Sequence, residues 1–92
     1  MRVDWSTHAV ADLKAISEYI EQDRNLETAN RVTESIYDAV QDLAHMPNSG
    51  RSGRNAGTRE LPVARLPYIV IYRVLPERLL VLNIVHGAQR WP

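Results

Sequence analysis

The fold turns on residues 66–86: Leu66-Pro67-Tyr68-Ile69-Val70-Ile71-Tyr72-Arg73-Val74-Leu75, then Pro76-Glu77-Arg78, then Leu79-Leu80-Val81-Leu82-Asn83-Ile84-Val85-His86. Both long runs are rich in β-branched and aromatic residues, which suit a pleated surface. Leu66–Leu75 and Leu79–His86 therefore read as strands, and Pro76-Glu77-Arg78 as the hairpin turn between them. Side chains alternate across a strand. Tyr68, Val70, Tyr72 and Val74 fall on one side; Ile69, Ile71, Arg73 and Leu75 fall on the other. Both sides are largely apolar, so the sheet needs cover on two faces.

Upstream, Arg59–Val63 reads as a third, short strand. Pro62 has no N–H to give a ladder and belongs at an edge or a strand end. Residues 47–58 hold three of the four glycines, with Arg51 and Arg54 between them. This stretch reads as a basic, mobile loop.

Before it the period is helical. Ala9, Val10, Leu13, Ile16 and Ile20 recur at spacings of three and four within Ser6–Asp23, with Ser6 or Thr7 as N-cap. A second stripe, Ala29, Val32, Ile36, Ala39, Val40 and Leu43, lies in a helix from about Leu26 to Met46, capped by Asn25 and ended by Pro47. A connection this short folds the two helices back antiparallel. Met1–Trp5 alternates and reads as a strand with Val3 and Trp5 inward. The expected architecture is α+β: an N-terminal strand, an antiparallel two-helix hairpin, then a three-strand antiparallel meander completing a small twisted sheet. The hairpin can cover one sheet face. Nothing else in the chain is available for the second, and an exposed apolar face marks a binding surface unless the sheet curls over it.

Ninety-two residues make one domain, 1–92. A hydrophobic fraction of 45% excludes a wholly disordered chain. The absence of cysteine excludes disulfides, zinc–thiolate sites and thiol catalysis. No apolar run approaches the roughly 18 residues of a membrane span, and no signal-peptide core is visible, so the expectation is a cytoplasmic protein with no membrane role. The net charge of zero hides a polarity. Residues 1–45 carry nine acidic against four basic side chains, and residues 46–92 carry seven arginines against Glu60 and Glu77. Such asymmetry points to an acidic partner for the second half. Ten of the 11 basic residues are arginine, the residue suited to planar recognition of carboxylate or phosphate.

Catalytic patterns are thin. His8 falls in the first turn of the first helix and His45 in the last turn of the second, where the helix dipole favours a histidine and His45 needs no catalytic explanation. His86 closes the last strand beside Gly87, with Arg90 and Trp91 close by in sequence. No nucleophile elbow, phosphate-binding loop or metal-ligand spacing is present, so neither a metal nor a cofactor is expected. Arg59, Arg65, Arg73 and Arg90 lie near strand ends and suit anion binding, or phosphate contact with His86 as acid or base. In a bland reading Arg73 pairs with Glu60 or Glu77, and Trp91 packs on the core.

The order of elements and several fragments resemble the RelE/ParE superfamily of type II toxins over essentially the whole chain. The fragments are Val3-Asp4-Trp5-Ser6 leading into Ala9-Val10-Ala11-Asp12-Leu13; Pro47-Asn48-Ser49-Gly50-Arg51; Thr58-Arg59-Glu60-Leu61; Tyr68-Ile69-Val70-Ile71-Tyr72-Arg73-Val74; and the run from Val81 to Arg90. The resemblance implies a toxin of a toxin–antitoxin module, of the plasmid-stabilization kind, held in a hetero-oligomer by a ParD-like antitoxin whose acidic C-terminal segment folds on it. RelE-like members cut mRNA on the ribosome; ParE-like members poison DNA gyrase. RelE-type strands carry Arg directly after the first tyrosine, where this chain has Ile69. They also carry lysines ahead of that strand and often end in a catalytic tyrosine. Here the only lysine is Lys14, and the chain closes on Trp91-Pro92. The run Leu82-Asn83-Ile84-Val85-His86-Gly87-Ala88-Gln89-Arg90 is similar to ParE endings. The expectation is gyrase inhibition without a catalytic set, through Arg59, Arg65, Arg73, His86, Arg90 and Trp91. Ile69, Ile71, Arg73, Arg51 and Arg54 are the expected antitoxin contacts. The alternative is a ribosome-dependent mRNA endonuclease using Arg59, Arg73, His86 and Arg90. A basic module binding nucleic acid directly is weakened by the neutral total charge and the lack of a Lys/Arg-rich helix.

Overall fold

In a computed structural model, which describes residues 1–88, the alternation of residues 68–86 becomes a central pair of antiparallel strands. The elements are β1 (Arg2–Trp5), α1 (Thr7–Asp23), α2 (Leu26–Leu43), β2 (Arg51–Ser52), β3 (Arg59–Pro62), β4 (Tyr68–Val74) and β5 (Arg78–His86). The strand order is β1-β5-β4-β3-β2. β2 to β5 form an antiparallel series, and β1 runs parallel to β5. The α+β architecture is as expected, with β2 as an addition. Two residues, Arg51 and Ser52, carry no apolar pattern that could have announced it. Pro62 stands at the end of β3, where its missing N–H costs nothing.

The helix caps follow from local chemistry. Ser6 Oγ accepts the Ala9 N–H at 3.0 Å, and Asn25 Oδ1 accepts the Thr28 N–H at 2.7 Å. α2 ends at Leu43 rather than Met46. Its last carbonyls turn to Ala44 and His45, because Pro47 cannot continue the helix. Both helices lie on one face of the sheet. Ala9, Ile20, Ala29, Ile36, Val40 and Leu43 meet Val70, Tyr72, Leu79, Val81 and Ile84 there. Val10, expected inward, is exposed: it sits about 100° around the helix from Ala9, at the margin of the stripe.

β1 covers β5 only from Arg78 to Val81. Beyond that point α1 takes over. Ser6 Oγ donates to the Leu82 carbonyl at 2.7 Å, and Asp12 Oδ2 accepts the Ile84 N–H at 2.9 Å and the Asn83 amide at 3.1 Å. These bonds flank a bulge in β5. Tyr72 stands opposite Val81 but Ile71 stands opposite Asn83, which leaves Leu82 as the extra residue.

The crossover from helices to sheet is clamped by Tyr72. Its buried hydroxyl donates to the Pro47 carbonyl at 2.7 Å and accepts the Gly50 N–H at 2.9 Å. A Cβ on Gly50 would stand 2.6 Å from that oxygen, so only glycine lets the chain pass this close. Tyr72→Phe should leave the buried Gly50 N–H and the Pro47 carbonyl unpaired and lower stability by about 1–3 kcal/mol in urea unfolding.

Asp4 ties β1 to β5, accepting from Arg78 at 2.9 Å and from Arg2 at 3.1 Å. The hydrogen bond from Arg78 holds its carboxyl below the usual aspartate value against some desolvation, with Arg2 helping. A depressed folded pKa stabilises above the unfolded carboxyl pKa, and that contribution is lost as pH falls through the folded value. Urea melts over roughly pH 2–6 should therefore show an acid limb that is shallower in Asp4→Asn.

Candidate partner-binding face

The helices cover the face that carries Tyr72. The opposite face is built from the alternate residues of every strand. Register places Arg2 and Asp4 of β1, Arg78 and Leu80 of β5, Ile69, Ile71 and Arg73 of β4, Glu60 of β3 and Arg51 of β2 on it. Four arginines against two acids make this face electropositive.

Its apolar part is less open than the sequence suggested. Ile69 and Ile71 are only 9% and 8% exposed, which corrects the expectation that they lie bare. The expectation that nothing remained to cover this face fails at Ile71, where Asn55 and Thr58 of the Gly50–Thr58 segment stand beside it; that segment is not a free loop. Glu60, 2% exposed, holds it. The Glu60 carboxylate accepts the Arg54 N–H at 2.9 Å and a guanidinium N–H of Arg51 at 3.3 Å. Thr58 closes the turn by donating its hydroxyl to the Asn55 carbonyl and accepting the Gly53 N–H. Gly57, at φ +79°, lies so close to Arg73 that a Cβ there would stand 2.8 Å from the guanidinium.

What stays open is a pocket of about 320 Å³, with Ile71, Leu82 and Val85 as its apolar lining and Asn55, Thr58, Asn83 and Arg73 around them. The bland reading of Arg73 is overturned: Glu60 serves Arg51 and Arg54, and Arg73 makes no ion pair among the described residues. Half-exposed, it is the arginine of this face that makes no ion pair among the described residues.

The other candidates disperse. Arg59 stands on the helix side opposite Tyr72, where it donates to the carbonyls of Gly50 at 2.7 Å and Asn48 at 3.3 Å. That is a structural role. Arg65 is exposed in the turn between β3 and β4, with φ +67°. His86 pairs with Tyr68 and so lies on the helix side, edge-on to the Tyr68 ring at 5.5 Å. Arg90 and Trp91 lie outside the described residues. Arg73 and His86 are thus on opposite faces. No group of three or more His, Cys, Asp or Glu able to hold a metal is found among the described residues. Nor is any of their helices long and apolar enough to cross a membrane.

A sheet of this order, with its helical hairpin on one face and arginines on the other, can be set against known proteins. The family model for the ParE toxin of type II toxin–antitoxin systems, parDE, matches residues 3–91. The chain belongs to the ParE toxin family. Toxin Y4kP of Sinorhizobium fredii is 42% identical over 91 residues, 99% of this chain and 93% of that one. Toxin RelE2 of Caulobacter vibrioides is 36% identical over 88 residues, 96% of this chain and 97% of that one. The solved chromosomal ParDE toxin–antitoxin system of P. aeruginosa superposes with a TM-score of 0.86 at 27% identity, over 94% of this chain and 95% of that one. The sequence resemblance to the RelE/ParE superfamily is therefore correct, and this ParE-family chain is a type II toxin.

Within this toxin, Glu60 is the residue that sequence reading missed. An acid in a short strand looks like a surface charge until β2 and the loop close over it. Glu60→Ala should lower stability by about 2 kcal/mol, because hydrogen bonds to a buried charge are lost. Amide exchange should quicken at Gly53–Thr58 with the helices unaffected.

Proposed function

We propose that this ParE-family toxin acts by binding DNA gyrase and is neutralised by a ParD-like antitoxin whose acidic C-terminal segment docks on the Arg73 face. The observation that carries the antitoxin half is the unpaired Arg73 guanidinium beside an apolar pocket on a face rich in arginine. A carboxylate beside an aliphatic side chain is the complement of that arrangement. Arg51 of β2 and Arg54 of the loop that follows extend the proposed contact set, while Ile69 and Ile71, nearly buried, offer little exposed contact.

The gyrase half is supported by how the candidate chemistry is spread. A phosphate-cleaving site brings an acid–base group and a phosphate-holding cation to one point. Here His86 and Arg73 are separated by the sheet, Arg59 is spent on backbone carbonyls, and Ile69 stands where the RNase-like branch of the superfamily carries Arg. Arg65, exposed in its turn, is free to meet a protein target, and Arg90 and Trp91 complete the proposed contact set.

The reading is tested with antitoxin-free protein in parallel gyrase and translation assays. Gyrase-dependent DNA cleavage or loss of supercoiling, with translation intact, is the expected result. Cleaved mRNA on stalled ribosomes, abolished by His86→Ala, would instead establish the endonuclease reading. For the antitoxin, Arg73→Glu should weaken binding by on the order of 10- to 100-fold in calorimetry, with the thermal melt unchanged. An unaltered Kd would remove Arg73 from the interface.

A further inference from the structure

On the helix side of the sheet, a cleft of about 730 Å³ opens between α1 and the ends of β4 and β5. Ile16 and Ile84 line it, with Tyr68, His86, Tyr19 and Asp12 as the groups able to recognise a ligand. Three features do not fit a merely structural wall. Tyr68 is 8% exposed, yet its hydroxyl has no hydrogen-bond partner among the described residues. Asp12 accepts both of its observed hydrogen bonds at Oδ2 and has no cationic partner among the described residues. Tyr19 leaves its ring 65% exposed at the margin.

The cleft is an aromatic slot with an uncompensated carboxylate. Burial and the neighbouring Tyr19 push the Tyr68 phenol further up, so it stays neutral. Asp12 is the acid of the cleft's lining, and α1 as a whole carries Asp12, Glu18, Glu21 and Asp23 against Lys14. A phosphate would meet repulsion here. A cation on an apolar stem would find aromatic faces, a carboxylate and a hydroxyl oxygen able to accept its hydrogen bond.

We infer that this cleft receives one basic side chain, an arginine or lysine, of the cognate antitoxin. It would be a second anchor, on the face opposite Arg73 and opposite in charge. The inference rests on the antitoxin reading above. It adds that the antitoxin must present a buried cation as well as its acidic segment, and so must pass around the edge of the sheet.

Tyr68→Phe deletes one oxygen that nothing in the described fold uses, so the melt should be unchanged while the antitoxin Kd rises on the order of 10-fold. Each Arg and Lys of the antitoxin is then replaced singly by Met. One replacement should cost a similar factor against the wild-type toxin and little more against Tyr68→Phe, the signature of a direct pair. An unchanged Kd in Tyr68→Phe, or strict additivity for every basic position, overturns the inference. So does a Tyr68-dependent affinity for a single-stranded oligonucleotide with antitoxin binding unaltered, which would assign the slot to a base. If Arg73→Glu weakens the antitoxin and Tyr68→Phe does not, only this inference fails. If the wild-type toxin does not bind the antitoxin at all, the functional reading fails with it.

Discussion

The Tyr72 hydroxyl is the point on which the two layers agree. The chain must leave the helical hairpin, turn the edge of the sheet and begin a strand, and it does so with Pro47 and Gly50 both held by one buried oxygen. Arg59 fastens the same turn through two carbonyls from the helix side. One residue later Glu60 points the other way and fastens the loop on the far side. Adjacent residues of β3 thus secure the crossover from both faces, as strand alternation allows. The placement of Arg51 on the open face depends on this.

That dependence shows which parts of the fold were legible. The helices could be read because their caps are local chemistry: Ser6 and Asn25 act within four residues of their own position. The central strands could be read because period and composition agree over seven to nine residues. β2 could not, because two polar residues have no period. The cover over Ile71 could not, because it depends on a buried acid whose partners, Arg51 and the Arg54 backbone, are six to nine residues back along the chain. Arg73 was legible as a cation on a sheet face. Its freedom was not, since the sequence offered Glu60 and Glu77 equally as partners.

His86 shows a subtler limit. From the hairpin turn the register pairs Val74 with Leu79 and Tyr72 with Val81, which would carry His86 to the same side as Arg73. The extra residue Leu82 shifts the pairing by one, and Tyr68 then faces His86. A one-residue slip moves every later side chain to the opposite face. The bulge is invisible in composition, yet it decides that the histidine and the arginine do not share a site. Ser6 and Asp12 make the shift tolerable by bonding the β5 backbone at and just beyond the bulge.

The sheet ends in β1 on one side and β2 on the other, and both margins are poor templates for another strand. β1 is four residues long and carries Arg2 and Asp4, with Arg78 bound across to the carboxylate. β2 has two residues, and β3 beyond it finishes on a proline. Short, charged or proline-bearing edges resist stacking of one sheet onto the next. For a toxin of a toxin–antitoxin pair, such edges disfavour strand-to-strand pairing between two copies of the chain.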